Sequence, residues 1–346
     1  MSKDVPANHD RPAENWGVTS EAARIHADAM VWDATFPFGP SCGSPQAHVQ
    51  SLRLMHSQGC DVVSITTASD QEDMAATVRK IAADTALLRT QSDWCRQAYS
   101  VSDIHEARKN GRISVVSAFQ GTVPFERTVS LVEVFYRLGV RQALMAYNQK
   151  NHVGDGCHER NDGGLSRFGV ELIREMNRVG MLVDCTHTGY RTARDVFEVS
   201  SAPVIFSHSN PRALADHERN IPDDLIDACA GSGGVIGING VNIFLGGRVT
   251  PETLFRHIDY IVQRVGPNHV GIGLDFVSEP RTLLTLVKTN ASKYPENQSY
   301  EAEIDFATPA ILPKLTEHML GRGYGPADVG KILGGNWLRV AEVVWR

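Results

Sequence analysis

The chain has 346 residues, 42% of them hydrophobic and 21% charged, which is ordinary for a globular protein with a sizeable core. Its net charge of −6 comes with scattered Lys and Arg and no basic stripe, so no nucleic-acid partner is expected. Six cysteines without a CxxC pair, a polar N-terminus with no secretory leader pattern and no apolar run of spanning length point to a cytoplasmic protein away from the membrane.

In chain order, residues 1–19 are polar and are expected to form an arm on the surface. Residues 20–346 are expected to form one domain. Within it, short β-rich runs alternate with longer helical patterns. Candidate strands are 30–35, 61–67, 113–119, 140–146, 181–187, 203–208, 234–240 and 269–276. Several are near-continuous apolar runs (ISVVSAF, MLVDCTH, APVIFSH, GGVIGING), as strands buried on both faces require.

Helical spacing of apolar residues marks 167–179 and 251–265 as crossover helices. Ser166 and Gly180 bracket the first as N-cap and stop, and Thr250-Pro251 opens the second. A further helix starts near Thr308 and ends at Gly321 or Gly323. The polar stretch 278–305 reads as a long loop over the mouth. Eight strands with helical crossovers predict an α/β fold, a (β/α)8 TIM barrel, over the alternative of an open doubly wound sheet, since no glycine-rich phosphate loop follows the first strand.

Active sites of such barrels form at the C-terminal ends of the strands. The fifth candidate strand ends in DCTH with His187, the sixth in FSHS with His208 and the eighth in GLDF with Asp275. Two imidazoles on neighbouring strands and a carboxylate form a set suited to a metal ion or to proton transfer. In the loop after the fourth strand, His152 and His158 are further candidate ligands, with solvation as their bland alternative. Arg219 and Asn220, in HERNIPDD, could clamp a substrate carboxylate; otherwise Arg219 would pair on the surface with Asp223 or Asp224.

Together DCTH, FSHS, ERNIPDD and GIGLDF, with RQALMAYNQKN, GDGCHERNDGGLSRFG and GGNWLRV, give a chain that resembles the renal (membrane) dipeptidase family, peptidase family M19, from about Ala22 to the C-terminus. The resemblance implies an amidohydrolase-like barrel whose zinc pair activates water to split dipeptides. It makes His187 and His208 metal ligands, places Asp275 near the attacking water, gives Arg219 the substrate carboxylate and puts Tyr147 or Asn148 where a carbonyl-polarising histidine stands. It also implies a homodimer.

Three ligand slots depart from that pattern. The first-strand His-x-Asp is replaced by Thr35 and Pro37, and the bridging glutamate by Gln120. The expectation is therefore a single divalent metal ion, zinc by resemblance, on His187 and His208, completed by Gln120, Asp275 or water, with no second metal. Asp33 is either a substitute ligand or a buried supporting carboxyl. The reaction expected is hydrolysis of a small-molecule substrate, a dipeptide or other small amide. A lyase, dehydratase or isomerase on the same scaffold, or an inactive homologue, are the alternatives.

Overall fold

The computed structural model describes residues 16–290, 294–300 and 302–346. Most of the expected arm lies outside the described residues. Among the described residues nine strands form one parallel sheet: β1 (Trp32–Pro37), β2 (Val62–Ser69), β3 (Cys95–Gln97), β4 (Ile113–Gln120), β5 (Val140–Leu144), β6 (Leu182–Asp184), β7 (Val204–Ile205), β8 (Ile236–Ile238) and β9 (Val270–Ile272). Eight follow the order β7-β6-β5-β4-β2-β1-β9-β8, while β3 pairs with β4 outside that path. A parallel bridge between Phe206 and Ile236 joins the two ends, with Phe206 N–H donating to Val235 O at 3.0 Å and Gly237 N–H to Phe206 O at 2.7 Å. The sheet is thus a nearly closed (β/α)8 barrel, and the open-sheet alternative is excluded.

Strand alternation sorts the apolar residues into two layers. Val62, Val116, Leu182 and Ile205 join across the ring into a cluster with Trp32, Ala34 and the C-terminal helix residues Trp337 and Val340. Their chain neighbours Val63, Val115, Val183 and Val204 belong to the larger cluster shared with the surrounding helices. The helix Asn336–Val344 closes the N-terminal end of the barrel, where Trp345 meets Trp32 at 5.8 Å between ring centroids.

Helix punctuation follows the sequence. Ser166 accepts from Gly169 N–H before the helix Arg167–Val179, which ends at Gly180 with φ 89°. Thr250 caps Pro251–Val265 in the same way. The stretch 278–305 is not one loop: Pro280–Thr289 is a helix and Glu296–Gln298 a 3-10 turn. Among the described residues no helix is long and apolar enough to cross a membrane.

Candidate active site

The strand ends converge as expected. Gln120 is the last residue of β4, and Tyr147 and Asn148 follow β5. His187, His208 and Asp275 stand three residues beyond the last residues of β6, β7 and β9. Asn148, His187 and Asp275 have φ of 60°, 63° and 57°. The left-handed conformation is uncommon for residues with a Cβ and costs on the order of 1–3 kcal/mol each, so the surroundings must hold it.

His187 and His208 are buried, with their Nε2 atoms 3.1 Å apart. His187 Nδ1 lies 2.6 Å from Asn148 Oδ1, an acceptor, so this nitrogen carries the proton. His208 Nδ1 lies 2.7 Å from Ser207 Oγ and 2.9 Å from Thr35 Oγ1. Ser207 gives its own proton to Asp184 Oδ2 at 2.5 Å and therefore accepts from His208. Burial, helped by the nearby Arg219 charge, holds both imidazoles well below the usual histidine range. Two neutral rings thus direct Nε2 lone pairs toward each other. Tyr147 stacks on His187 at 4.0 Å between centroids.

Of the supporting groups, Asp184 and Ser207 are buried and Asp70 is half-buried. Asp184 accepts from Gln142 Nε2, Thr186 N–H and Ser207 N–H besides the Ser207 hydroxyl. Asp70, on the loop after β2, accepts from the backbone N–H groups of Thr122, Val123 and Tyr147 and from Asn151 Nδ2. It ties the loop behind Gln120 to the one that carries Tyr147 and Asn148. Sequence reasoning gave no role to Asp70, Asp184 or Ser207, because the contacts that join them across the barrel span 23 to 81 residues and leave no local pattern.

Arg219 is 2% exposed, and its Nη2 donates to His208 O at 3.3 Å, while Nε and Nη1 meet no acceptor. The surface ion pair considered for it is overturned. Asp223 instead pairs with Arg264, and Asp224 with Arg194. Arg219 and His187 line one cavity of about 370 Å³. Asn220 donates to the carbonyls of Ala215 and Phe244, which makes it a brace of the Arg219 turn. His152 lies on the surface beside Arg127, at 3.5 Å. His158 is turned to Glu218, at 2.6 Å, and Tyr300, at 2.9 Å.

Asp275 accepts from Asn239 Nδ2 at 3.2 Å. Burial raises its carboxyl above the usual range, against the pull of Arg219 and Asn239. It lines a second cavity, of about 380 Å³, together with Gln120, Tyr147 and His187. Asp33 is fully buried. One oxygen accepts from Leu274 and Thr35 N–H, the other has no partner, and burial raises its carboxyl to about 7.

Among the described residues no three of His, Cys, Asp and Glu are grouped to hold a metal ion. At the positions where the family pattern has a histidine, an aspartate and a glutamate, this chain carries Thr35, Pro37 and Gln120. Thr35 serves His208 as a hydrogen-bond partner, and the buried Gln120 Nε2 has no acceptor. The two imidazoles are the nitrogen pair that could hold an ion. Two nitrogens at about 2.0–2.1 Å from a tetrahedral zinc stand about 3.3 Å apart, close to the observed 3.1 Å, and a cation would relieve the opposed lone pairs.

A sequence profile of the membrane dipeptidase family (peptidase family M19) matches residues 42–296. The chain is 32% identical over 276 residues to the dipeptidase verJ of Clonostachys rogersoniana, covering 79% of this chain and 66% of that protein. It is 30% identical over 263 residues to the dipeptidase tcpJ of Claviceps purpurea, covering 75% and 57%. The chain thus spans roughly half to two thirds of the length of these curated relatives. An amidohydrolase structure from Pseudomonas aeruginosa superposes with a TM-score of 0.86 at 34% identity, covering 94% of this chain and 99% of the other. The structure of PvdM from the same organism, described as a probable dipeptidase, shares the fold at 20% identity with a TM-score of 0.76 over 94% and 97% of the two chains. With a matching profile over most of its length and the strand-end residues in place, the chain belongs to the membrane dipeptidase family, peptidase family M19.

Proposed function

We propose that the protein hydrolyses a dipeptide or a similarly small amide bearing a free carboxylate. The observation that carries this reading is the cavity shared by His187 and a buried Arg219 with two unpartnered N–H donors. A buried guanidinium without an acceptor is costly, and a carboxylate is the planar anion that matches its fork.

His187 and His208 would hold one divalent ion, zinc by family resemblance, completed by Gln120, Asp275 or water; Gln120 and Asp275 line one cavity with His187. When bound, such an ion acidifies water and polarises a carbonyl. The chain's own residues do the rest. Arg219 anchors the carboxylate and so fixes which amide faces His187. Asn148 keeps the His187 proton on Nδ1, and Ser207 with Asp184 does the same for His208. Tyr147 covers one face of His187 and keeps bulk water off it. Asp275, held by Asn239, takes the proton from attacking water and returns it to the leaving amine. As in the family resemblance, the protein is proposed to work as a cytoplasmic homodimer.

The test is metal content and dipeptide turnover of protein purified without chelator, beside His187→Ala, His208→Ala and Arg219→Lys. About one zinc per chain is expected, lost in both histidine variants. Arg219→Lys should keep the metal and lower kcat/KM by about 100-fold, mostly through KM, because a lysine cannot make the paired contact. A protein that takes up no metal at saturating zinc and cleaves no dipeptide sinks the hydrolase reading. It would leave a lyase, dehydratase or isomerase on the same scaffold, or an inactive homologue.

A further inference from the structure

Arg219 sits on a short turn that a distant segment of the chain holds in place. Its backbone N–H donates to His217 Nδ1 at 3.0 Å, a side chain reaching the amide two residues on. A neutral imidazole carries one proton, so that of His217 is on Nε2, where it is given to Gln298 O at 2.8 Å. The side chain of the same Gln298 takes the neighbouring amide, with Glu218 N–H donating to its Oε1 at 2.7 Å. Gln298 is buried, and both of its oxygens are spent on this turn.

The segment 294–300 that carries Gln298 reaches other parts of the site as well. Tyr294 hydrogen-bonds Tyr147, the ring stacked on His187. Tyr300 O–H donates to His158 Nε2 at 2.9 Å, and His158 Nδ1–H donates to Glu218 Oε2 at 2.6 Å. His217 stands edge-on to Tyr300 at 5.5 Å and to Phe244 at 4.7 Å, and the Arg219 guanidinium lies over the same Phe244 ring at 5.1 Å. Arg219 and the segment thus share His217 as a common support.

We propose that His217 is a positioning residue that couples the seating of 294–300 to the placement of Arg219, so that the carboxylate site is complete only when this strap is closed. The inference rests on the role given to Arg219 above. The coupling works through the tautomer of one ring. With the strap seated, Gln298 O keeps the proton on Nε2 and leaves Nδ1 as the acceptor for Arg219 N–H. With the strap lifted, Nε2 loses that acceptor and the proton is free to sit on Nδ1. Two N–H donors then face each other, and the buried Arg219 amide is left unpaired. A turn loosened in this way no longer aims the guanidinium. Because coupling is reciprocal, a carboxylate held by Arg219 favours the closed strap in return.

The experiment combines amide hydrogen exchange with Ala-Ala kinetics on the wild type, Gln298→Ala and the double variant Gln298→Ala/His217→Asn. Gln298→Ala removes the Oε1 contact and leaves the His217 ring in place. Exchange of 294–300 should rise by about tenfold, the scale of one lost hydrogen bond, and exchange of the Arg219 amide should rise with it. KM should rise by about tenfold, with kcat within about twofold of the wild type. Asparagine at position 217 still accepts from the amide two residues on but is too short to reach Gln298. The double variant should therefore keep the strap loose yet protect the Arg219 amide again and bring KM back to within about threefold of the wild type. General loss of structure would not give that rescue. A strap unchanged by Gln298→Ala, or a loose strap with Arg219 exchange unchanged, overturns the coupling. A double variant without the rescue overturns the ring tautomer as its link. If the wild type cleaves no dipeptide, the hydrolase reading fails, and the exchange results alone decide the coupling by the same criteria.

Discussion

His208 shows how much of the site is held from behind. Its Nδ1 proton is fixed by Ser207, and Ser207 by Asp184, all in the barrel interior. A metal-ligating histidine depends on such a partner for ring orientation and tautomer. Ser207→Ala removes one hydroxyl and leaves the backbone bond from Ser207 N–H to Asp184 intact. Zinc affinity should fall by about 10–100-fold, read by competition against a coloured chelator. Stability should drop by only about 1–2 kcal/mol, the cost of leaving one buried partner unmade. Unchanged affinity would mean that Thr35 alone orients the ring. His187, His208, Asp275 and Arg219 were legible in the sequence because they end strands or sit in a distinctive local run. Asp70 and Asp184 were not, since a carboxylate that binds backbone groups across loops looks like any other polar residue in one dimension.

Among the elements, the eight barrel strands were legible for a simple reason. A strand covered by helices on one face and by the barrel interior on the other must be apolar almost throughout. β3 carries only Cys95-Arg96-Gln97 and pairs with one neighbour, so nothing marked it. The helix Pro280–Thr289 was hidden in a polar stretch, although its proline start and its Leu283, Leu284 and Val287 spacing were present. The segment 294–300 has a consequence for acid behaviour. Tyr300 O–H donates to His158 Nε2, and His217 Nε2–H donates to Gln298 O. His217 Nδ1 accepts from Arg219 N–H, so both rings are neutral in the fold. Burial and the Arg219 charge lower each to about 3. The unfolded chain takes up these protons near pH 6.5 and the folded one only near 3. Their contribution is therefore whole above about pH 6.5 and is lost as pH falls toward 3, at up to about 1.4 kcal/mol per pH unit for each ring. The urea midpoint should fall between pH 7 and 5. His158→Gln, which cannot charge, should show a shallower fall, and an identical slope would remove His158 from the account.

At the scale of the whole molecule, the barrel depends on how its C-terminal helix meets β8 and β9. Gly237 and Gly271 face each other in the β8–β9 ladder; Trp337 fills the space that the missing side chain of Gly271 leaves, and the Ser207 backbone with Trp337 fills that of Gly237. A Cβ on Gly271 would overlap Trp337 Nε1, whereas one on Gly237 would first overlap the Ser207 carbonyl oxygen and lie 3.0 Å from Trp337 Cζ2. The indole N–H donates to Ile272 O at 3.1 Å, so the ring has little freedom to retreat. Gly271→Ala should therefore cost about 1–3 kcal/mol by overpacking, and Trp337→Ala about 3–5 kcal/mol by leaving a cavity. The two costs should not add. With the indole gone, the alanine methyl enters vacated space, and the double variant should be no less stable than Trp337→Ala alone. Urea unfolding of the four proteins in this cycle measures the coupling. An additive result would show that the clash is relieved by strand movement and not by the tryptophan. The same cycle also bears on the site, because the chain leads from this glycine slot in β9 to Asp275, three residues beyond the last residue of the strand. A wild-type-like metal content in Gly271→Ala would show that the two ends of the strand are mechanically independent, whereas loss of metal with the fold intact would show that packing under the barrel sets the geometry above it.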